Sequence, residues 1–417
     1  MAITTTRLDN GLRVVTEEMP GARSVTTGFW VGVGACDEAP AEAGASHFLE
    51  HLLFKGTEAR TAGQIAEAVD AVGGEMNAFT TQEHTAYYTR LPAAELDLGL
   101  DIVSDVLLAP AFRPADVEAE RQVILEEILM EDDAHDDRVL TLLDDALFPD
   151  HPLGREVLGT RQSITAIDQE TIRAFHRRWY RPANLVVAAA GALDHQSVVA
   201  GVKARFAGVT GGDVPERHGP SSPARSLAVL RRRTEQVHLA VGVRALPRDD
   251  DDRYALAVAN HVLGGGPSSR LFHTIREERG LAYSVFSHHA AYERTGALVA
   301  YAATALARLP EVLRLVHLEL DRLLSDGVTD QELRVAAGYL AGSTMLGLED
   351  SGGCMARIGE DLLVHGRVPE LDDVVASYRA VTSDDVQRAL ARTLGASTRS
   401  VAVVGPVSRR QLETQLA

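Results

Sequence analysis

Two cysteines in 417 residues are too few, and too far apart, for a disulfide framework. Their scarcity fits a reducing compartment, and Cys36 and Cys354, which sit in no motif, read as packing residues. Positive charge is short as well: 41 Lys and Arg face 59 Asp and Glu, a formal charge of −18. A chain with that balance lacks the basic surface that nucleic acid or an anionic membrane attracts. No apolar run approaches the length of about 18 residues that a membrane span needs. The opening residues, MAITTTRLDNG, carry neither an apolar signal core nor an Arg-rich transit helix. They read as a strand, an Asn-Gly turn and a second strand over Leu12 to Thr16, and the expected location is the cytoplasm.

What is present is a globular composition, 45% hydrophobic and 24% charged, long enough for more than one core. Gly, Pro and Ser cluster without periodicity over residues 211–225, a linker between 1–210 and 226–417. Both sides open alike. Val25 to Val33 is strand-like and leads through Asp37-Glu38 into a helix carrying His47; Val237 to Val243 leads through Asp249 to Asp252 into a helix over Tyr254 to Leu263. This weak repeat predicts two homologous α+β modules. The acidic runs 126–137 and 249–252 read as solvated surface; lining a cavity, they would favour basic peptides. Further helices are expected from a Thr61–Gln64 capping box, from Pro92 to Leu108, from Pro310 to Leu324 and from Thr382 to Leu394. Asn184 to Ala190 and Ser400 to Val404 read as buried strands.

The segment His47-Phe-Leu-Glu50-His51 sets two imidazoles and a carboxylate at the spacing zinc chemistry needs. A helical residue advances about 100°, so an i,i+4 pair lies within about 40° of one face, and Glu50 projects close to it. Two neutral imidazoles can share a Zn²⁺ while the carboxylate lies beside the water it must deprotonate. The order is that of HExxH zinc proteases reversed. Catalytic zinc takes three protein ligands, so another is required. Residues 114–131 predict a helix, with Pro114 in its first turn and no interior Gly or Pro. On it Glu120 and Glu127 stand two turns apart, about 20° out of alignment, between Val123 and the stripe Val117, Ile124, Ile128. Carboxylates so placed must be neutralised, paired or bound to metal. Glu118, Glu126 and Glu131 lack that placement and read as solvated or salt-bridged. The corresponding helix of the second module has a lone His261, read as a packed or capping residue, so metal is expected in the first module only. The run Gly264-Gly-Gly lacks the Lys-Ser/Thr of a phosphate-binding loop. His84, His135, His151, His176 and His288-His289 have no partner at ligand spacing.

HFLEHLLFKGT, residues 47–57, resembles the signature of the pitrilysin, insulysin and mitochondrial processing peptidase family of zinc metallopeptidases, and the resemblance covers nearly the whole chain. Glu127 lies 76 residues beyond His51, the family's spacing for its third ligand, which selects it over Glu126. The supporting acidic residue seven positions earlier matches Glu120. The resemblance implies one zinc per chain on His47, His51 and Glu127, with Glu50 as general base. Asn77-Ala78 matches the family's substrate-binding edge strand, where main-chain hydrogen bonds hold an extended peptide. Arg276 and Tyr283, after the Gly run, match a pair that contacts substrate carbonyls and steadies the oxyanion.

The implied activity is a zinc-dependent endopeptidase acting on unfolded peptides. Longer relatives enclose substrate in a clamshell of four modules, so two modules imply a dimer. Because this chain carries both motifs, a homodimer is expected over an obligate heterodimer with a related chain. Two alternatives stay open: a peptidase specific for one leader or presequence, and a non-catalytic structural homologue, whose zinc motif is typically degraded.

Overall fold

In this computed structural model, which describes residues 3–416, the chain forms two compact units, neither of them one continuous stretch. The first contains the residues up to Ile128, Glu156–Glu216 and Met345–Pro369; the second contains Leu129–Arg155, Arg217–Thr344 and the chain from Glu370 onward.

The first unit is built on six strands: β1 (Ile3–Arg7), β2 (Arg13–Glu18), β3 (Ser24–Val31), β4 (Glu75–Thr80), β5 (Thr85–Pro92) and β6 (Leu185–Gly191). Their order is β1-β2-β6-β3-β5-β4, antiparallel throughout except for the pair β2 with β6. β3 is buried along almost its whole length because both faces are covered. Val25, Phe29 and Val31 join the main core with α1 (Ala45–Leu53), α2 (Ala62–Asp70), α3 (Leu96–Leu108) and the first part of α4 (Pro114–Asp133), through Phe48, Leu52, Ile65, Val103 and Ile124. The alternate residues meet helix Ser351–His365. The Thr26 hydroxyl lies 2.8 Å from that of Ser351, and on neighbouring β2 Arg13 donates to Leu362 O at 2.9 Å.

The second unit holds β7 (Leu227–Arg231), β8 (Val237–Ala245), β9 (Ala282–Ala291), β10 (Gly296–Thr304) and β11 (Ser400–Gly405) in the order β7-β11-β8-β10-β9. β7 pairs β11 in parallel and the remaining pairs are antiparallel. Strand for strand this is β2-β6-β3-β5-β4 again. The molecule is therefore two α+β modules of one topology. The core of the second unit runs from Leu239 and Val241 to Leu256, Ala259 and Leu320. The other face of this sheet is covered by α5 (His135–Leu147), and Gly242 leaves the space: a Cβ there would meet Leu143 at 2.9 Å and Leu147 at 3.2 Å. Each sheet thus takes the helix on its second face from the opposite half of the sequence.

Two expectations need adjustment. Pro92 ends β5 opposite Ser24 and is also the N-cap of a 3-10 turn, Ala93–Glu95, that runs straight into α3, so the helical stretch to Leu108 starts one residue after it. A proline without an N–H fits a strand end, where no ladder bond is lost. The run 249–252 is not simply solvated: Asp252 is buried, with Arg388 at 2.5 Å and Arg392 at 2.8 Å, and Arg392 also grips Asp250 at 2.6 Å. Those arginines stand on helix Ser383–Thr393, which packs against helix Arg253–Gly264. Their hydrogen bonds, Arg388 first, hold the Asp252 carboxyl below its ordinary range. The expected Thr61 and Thr382 caps are formed. Among the described residues no helix is long and apolar enough to cross a membrane.

Gly359, midway along helix Ser351–His365, lies on the indole of Trp30, and a Cβ there would collide with the ring. Gly359→Ala is expected to destabilise the first unit by about 1–3 kcal/mol, the usual cost of overpacking a filled core. Urea unfolding followed through tryptophan fluorescence reads this directly.

Candidate metal centre

The apolar residues Phe48, Leu49, Leu52 and Leu53 fix α1 in the core, which leaves His47, Glu50 and His51 on one remaining face. The two imidazole centroids are 4.6 Å apart. Glu127 approaches from α4, with Oε2 3.6 Å from His47 Nε2 and 3.7 Å from His51 Nε2. Both gaps are too long for hydrogen bonds. Glu127 Oε2, the oxygen facing both rings, is buried with no hydrogen-bond partner. Such a group normally costs about 1–3 kcal/mol, so the arrangement needs a ligand to explain it.

A metal ion fits. Donors about 2.0–2.2 Å from a shared ion at tetrahedral angles stand roughly 3.3–3.5 Å from one another. The observed gaps are a little wider and would close with small side-chain shifts. Among the described residues, His47, His51 and Glu127 are the one group of ligand types so gathered, their donor atoms all within 4.8 Å. Two imidazoles and a carboxylate suit a borderline-soft divalent cation. Burial, and then the neighbouring His51 ring, pull His47 down to about 4. It is therefore neutral, the form that binds metal, at physiological pH.

A second layer holds these donors in place. His51 Nδ1 lies 3.0 Å from Glu120 Oε2. An ionised carboxylate only accepts, so Nδ1 carries the proton and the lone pair sits on Nε2, facing Glu127. Glu120 is buried, and Lys55 Nζ, 2.6 Å from its other oxygen, pairs its charge. Glu50 accepts from the Thr80 hydroxyl at 2.5 Å. Burial raises the Glu50 pKa above the ordinary carboxylate range, with the Thr80 bond opposing. Thr80 ends β4, the edge strand of its sheet, which also carries exposed Asn77 and half-buried Ala78.

Sequence reasoning missed two partners. Lys55 lay inside the quoted motif without a role. Glu38 lay in the acidic turn, yet its carboxylate accepts from the Gly44 and Ser46 N–H groups, both at 2.7 Å. An acid six residues ahead of the N-cap belongs to no capping pattern. One expectation about α4 is also wrong. Val123 is 47% exposed, so the apolar flank on that side is missing, and the Glu127 side chain is 40% exposed. The buried stripe of α4 runs through Val117, Glu120, Ile124 and Leu125, so only Glu120 is fully enclosed.

In the second unit, Arg276 and Tyr283 are together. The Arg276 guanidinium lies 4.6 Å from the ring centres of both Phe272 and Tyr283. Such stacking steadies a guanidinium while leaving its N–H edges available. Arg276 stands on a π-helical turn, Phe272–Glu277, and Tyr283 is 79% exposed on β9. His261 is a packed residue: its ring stacks on Tyr339 at 4.3 Å, and a Cβ at Gly265 would meet its Nδ1 at 2.7 Å.

Residues 13–161 match the family model described as insulinase (peptidase family M16), and residues 166–338 match the one described as the peptidase M16 inactive domain. A Streptomyces coelicolor protein described as an uncharacterized zinc protease is 44% identical over 414 residues, 97% of this chain and 90% of that protein. Bacillus subtilis YmxG, described likewise, is 36% identical over 403 residues, 95% of this chain and 97% of its own. In fold, the chain is similar to the crystal structure of a protease from Helicobacter pylori, with a TM-score of 0.89 at 23% identity over 97% of this chain and 99% of that one. Near-complete coverage in both directions settles the class: the chain belongs to the M16 peptidase family, in its half-length branch.

Glu120→Gln is expected to weaken metal binding at this centre about 10–100-fold, the usual effect of removing the partner of a ligating imidazole. Glu118→Gln, on the exposed side of the same helix, should leave it unchanged. Competition with a chromophoric chelator distinguishes the two.

Proposed function

We propose that this chain is a zinc-dependent endopeptidase that hydrolyses unfolded peptides. The observation that carries the reading is the convergence of His47, His51 and Glu127, with the facing Glu127 oxygen unpaired, beside Glu50. A zinc ion held by these three residues would supply the Lewis acidity that makes water nucleophilic near neutral pH. Glu50, its basicity raised by burial, takes the proton of the attacking water and passes it to the leaving amine. β4 aligns the peptide by main-chain hydrogen bonds. The Thr80–Glu50 bond ties the end of that strand to the base, so substrate register and proton acceptor are set by one element. Arg276, steadied by Phe272 and Tyr283, offers donors to the developing oxyanion. The intact ligand set speaks against a purely structural homologue. Breadth of substrate, against a single leader sequence, is read from cleavage products of an unstructured peptide library.

Replacing His47, His51 or Glu127 should abolish zinc binding. Glu50→Gln should retain about one zinc per chain and lose most activity, because a base and not a ligand has gone. Loss of zinc from Glu50→Gln, or full zinc and activity in Glu127→Gln, would show the roles to be misassigned.

We further propose that the active form is a homodimer in which Arg276 and Tyr283 of one copy serve the zinc of the other. The support is the family's four-module clamshell, divided here between two chains. Glu50→Gln and Arg276→Ala should each be nearly inactive alone. In a mixed dimer one site receives both defects and the other neither. Random re-pairing gives about half mixed dimers, so roughly a quarter of wild-type activity should return. With subunit exchange demonstrated by mass, no recovery would place both motifs of a site on one chain.

A further inference from the structure

The helix that carries His47, Glu50 and His51 has nine residues, and its N-cap, Gly44, has φ +92° and no side chain with which to cap. The first N–H groups of a helix have no partner within it, and helices this short do not hold their own ends. Here the acceptor comes from outside. Glu38, 4% exposed, accepts the Gly44 N–H on Oε2 and the Ser46 N–H on Oε1, both at 2.7 Å. A carboxylate bonded through both oxygens to two N–H groups on either side of Ala45 fixes the roll of the helix as well as its end. Roll matters at this site. An imidazole Nε2 lies about 6 Å from the helix axis, so a 15° roll moves it about 1.5 Å. That is enough to separate donors from a shared ion.

The repeat supplies a contrast. At the matching turn of the second module stands Asp252, just before helix Arg253–Gly264. Its carboxylate caps no backbone N–H and turns to Arg388 and Arg392 instead. That helix carries no pair of metal ligands. The neighbouring Asp250 accepts the Asp252 N–H at 2.9 Å, one backbone bond at the N-cap, whereas Glu38 holds N–H groups on both sides of Ala45.

We propose that Glu38 is a positioning residue of the metal centre: by holding Gly44 and Ser46 it sets the roll of α1 that brings His47 and His51 to bear with Glu127. The inference rests on the zinc reading given above. The test uses the full chain, with zinc affinity measured by chelator competition at a temperature where near-UV circular dichroism shows every variant folded. Glu38→Gln, which turns one acceptor into a donor facing an N–H, should raise the zinc Kd about tenfold or more. Deuterium uptake over residues 44–53 of the metal-free chain should rise with it. A lowered melting temperature with unchanged zinc affinity would mean that Glu38 only stabilises the fold, and would overturn the proposal. Should Glu38→Gln not fold, Glu38→Asp reaches one N–H but not both and carries the same expectation in smaller degree, about threefold; unchanged affinity there overturns it equally. His47→Ala is measured alongside. If it binds zinc as the wild type does, the metal reading itself has failed, and the Glu38 proposal with it.

Discussion

A helix of nine residues cannot order itself in water, and the chemistry of this protein stands on one. Four large apolar side chains, Phe48, Leu49, Leu52 and Leu53, are wholly buried from α1, each contributing about 1.5–3 kcal/mol of transfer free energy. That packing makes it tolerable to leave two imidazoles facing a carboxylate whose oxygen is unsatisfied. The polar residues around them are arranged as a graded series. Lys55 pairs Glu120, Glu120 orients His51, and Thr80 restrains Glu50, so each of these groups is held by something further out.

The parts legible in the sequence are those governed by local period. HxxEH is a statement about helical spacing, and the strand-turn-helix opening of each half is visible as a change of period. What was not legible depends on which neighbour covers which face. Helical periodicity marks a face only broadly. It could not tell that α4 rolls Val123 to the surface and Ile124 inward, because the choice is made by the elements it packs on. The pairing of Asp252 with Arg388 joins residues 136 positions apart, beyond any pattern in the chain. Glu38 was visible as an acid but not as a cap, because its reach is set by the fold of the loop between it and Gly44.

The two modules show how one topology serves different ends. Their strand orders agree position for position, and each begins its first helix after an acidic turn. In the first, the buried histidine of that helix faces a carboxylate across a gap; in the second, His261 is stacked on Tyr339 and walled by Gly265. The same side chain is thus a donor awaiting a ligand in one module and a packing piece in the other. The second module's distinct feature lies elsewhere, in a guanidinium held between two aromatic rings on a widened helical turn.

The exchange of helices between the two halves bears on how the chain is made. Trp30 is synthesised early, but the helix that covers it begins only at Ser351. At about 5–20 residues per second, translation leaves that face of the first sheet bare for roughly 15–60 s. Throughout that interval the nascent first module presents an apolar surface with no partner of its own. The second sheet has the reverse history: α5 is already made and waits for β8 and β11 to arrive. A gene divided at the loop between the modules would give two products, each lacking one side of its sheet. The protein is duplicated in topology, yet it completes its folding as a single chain.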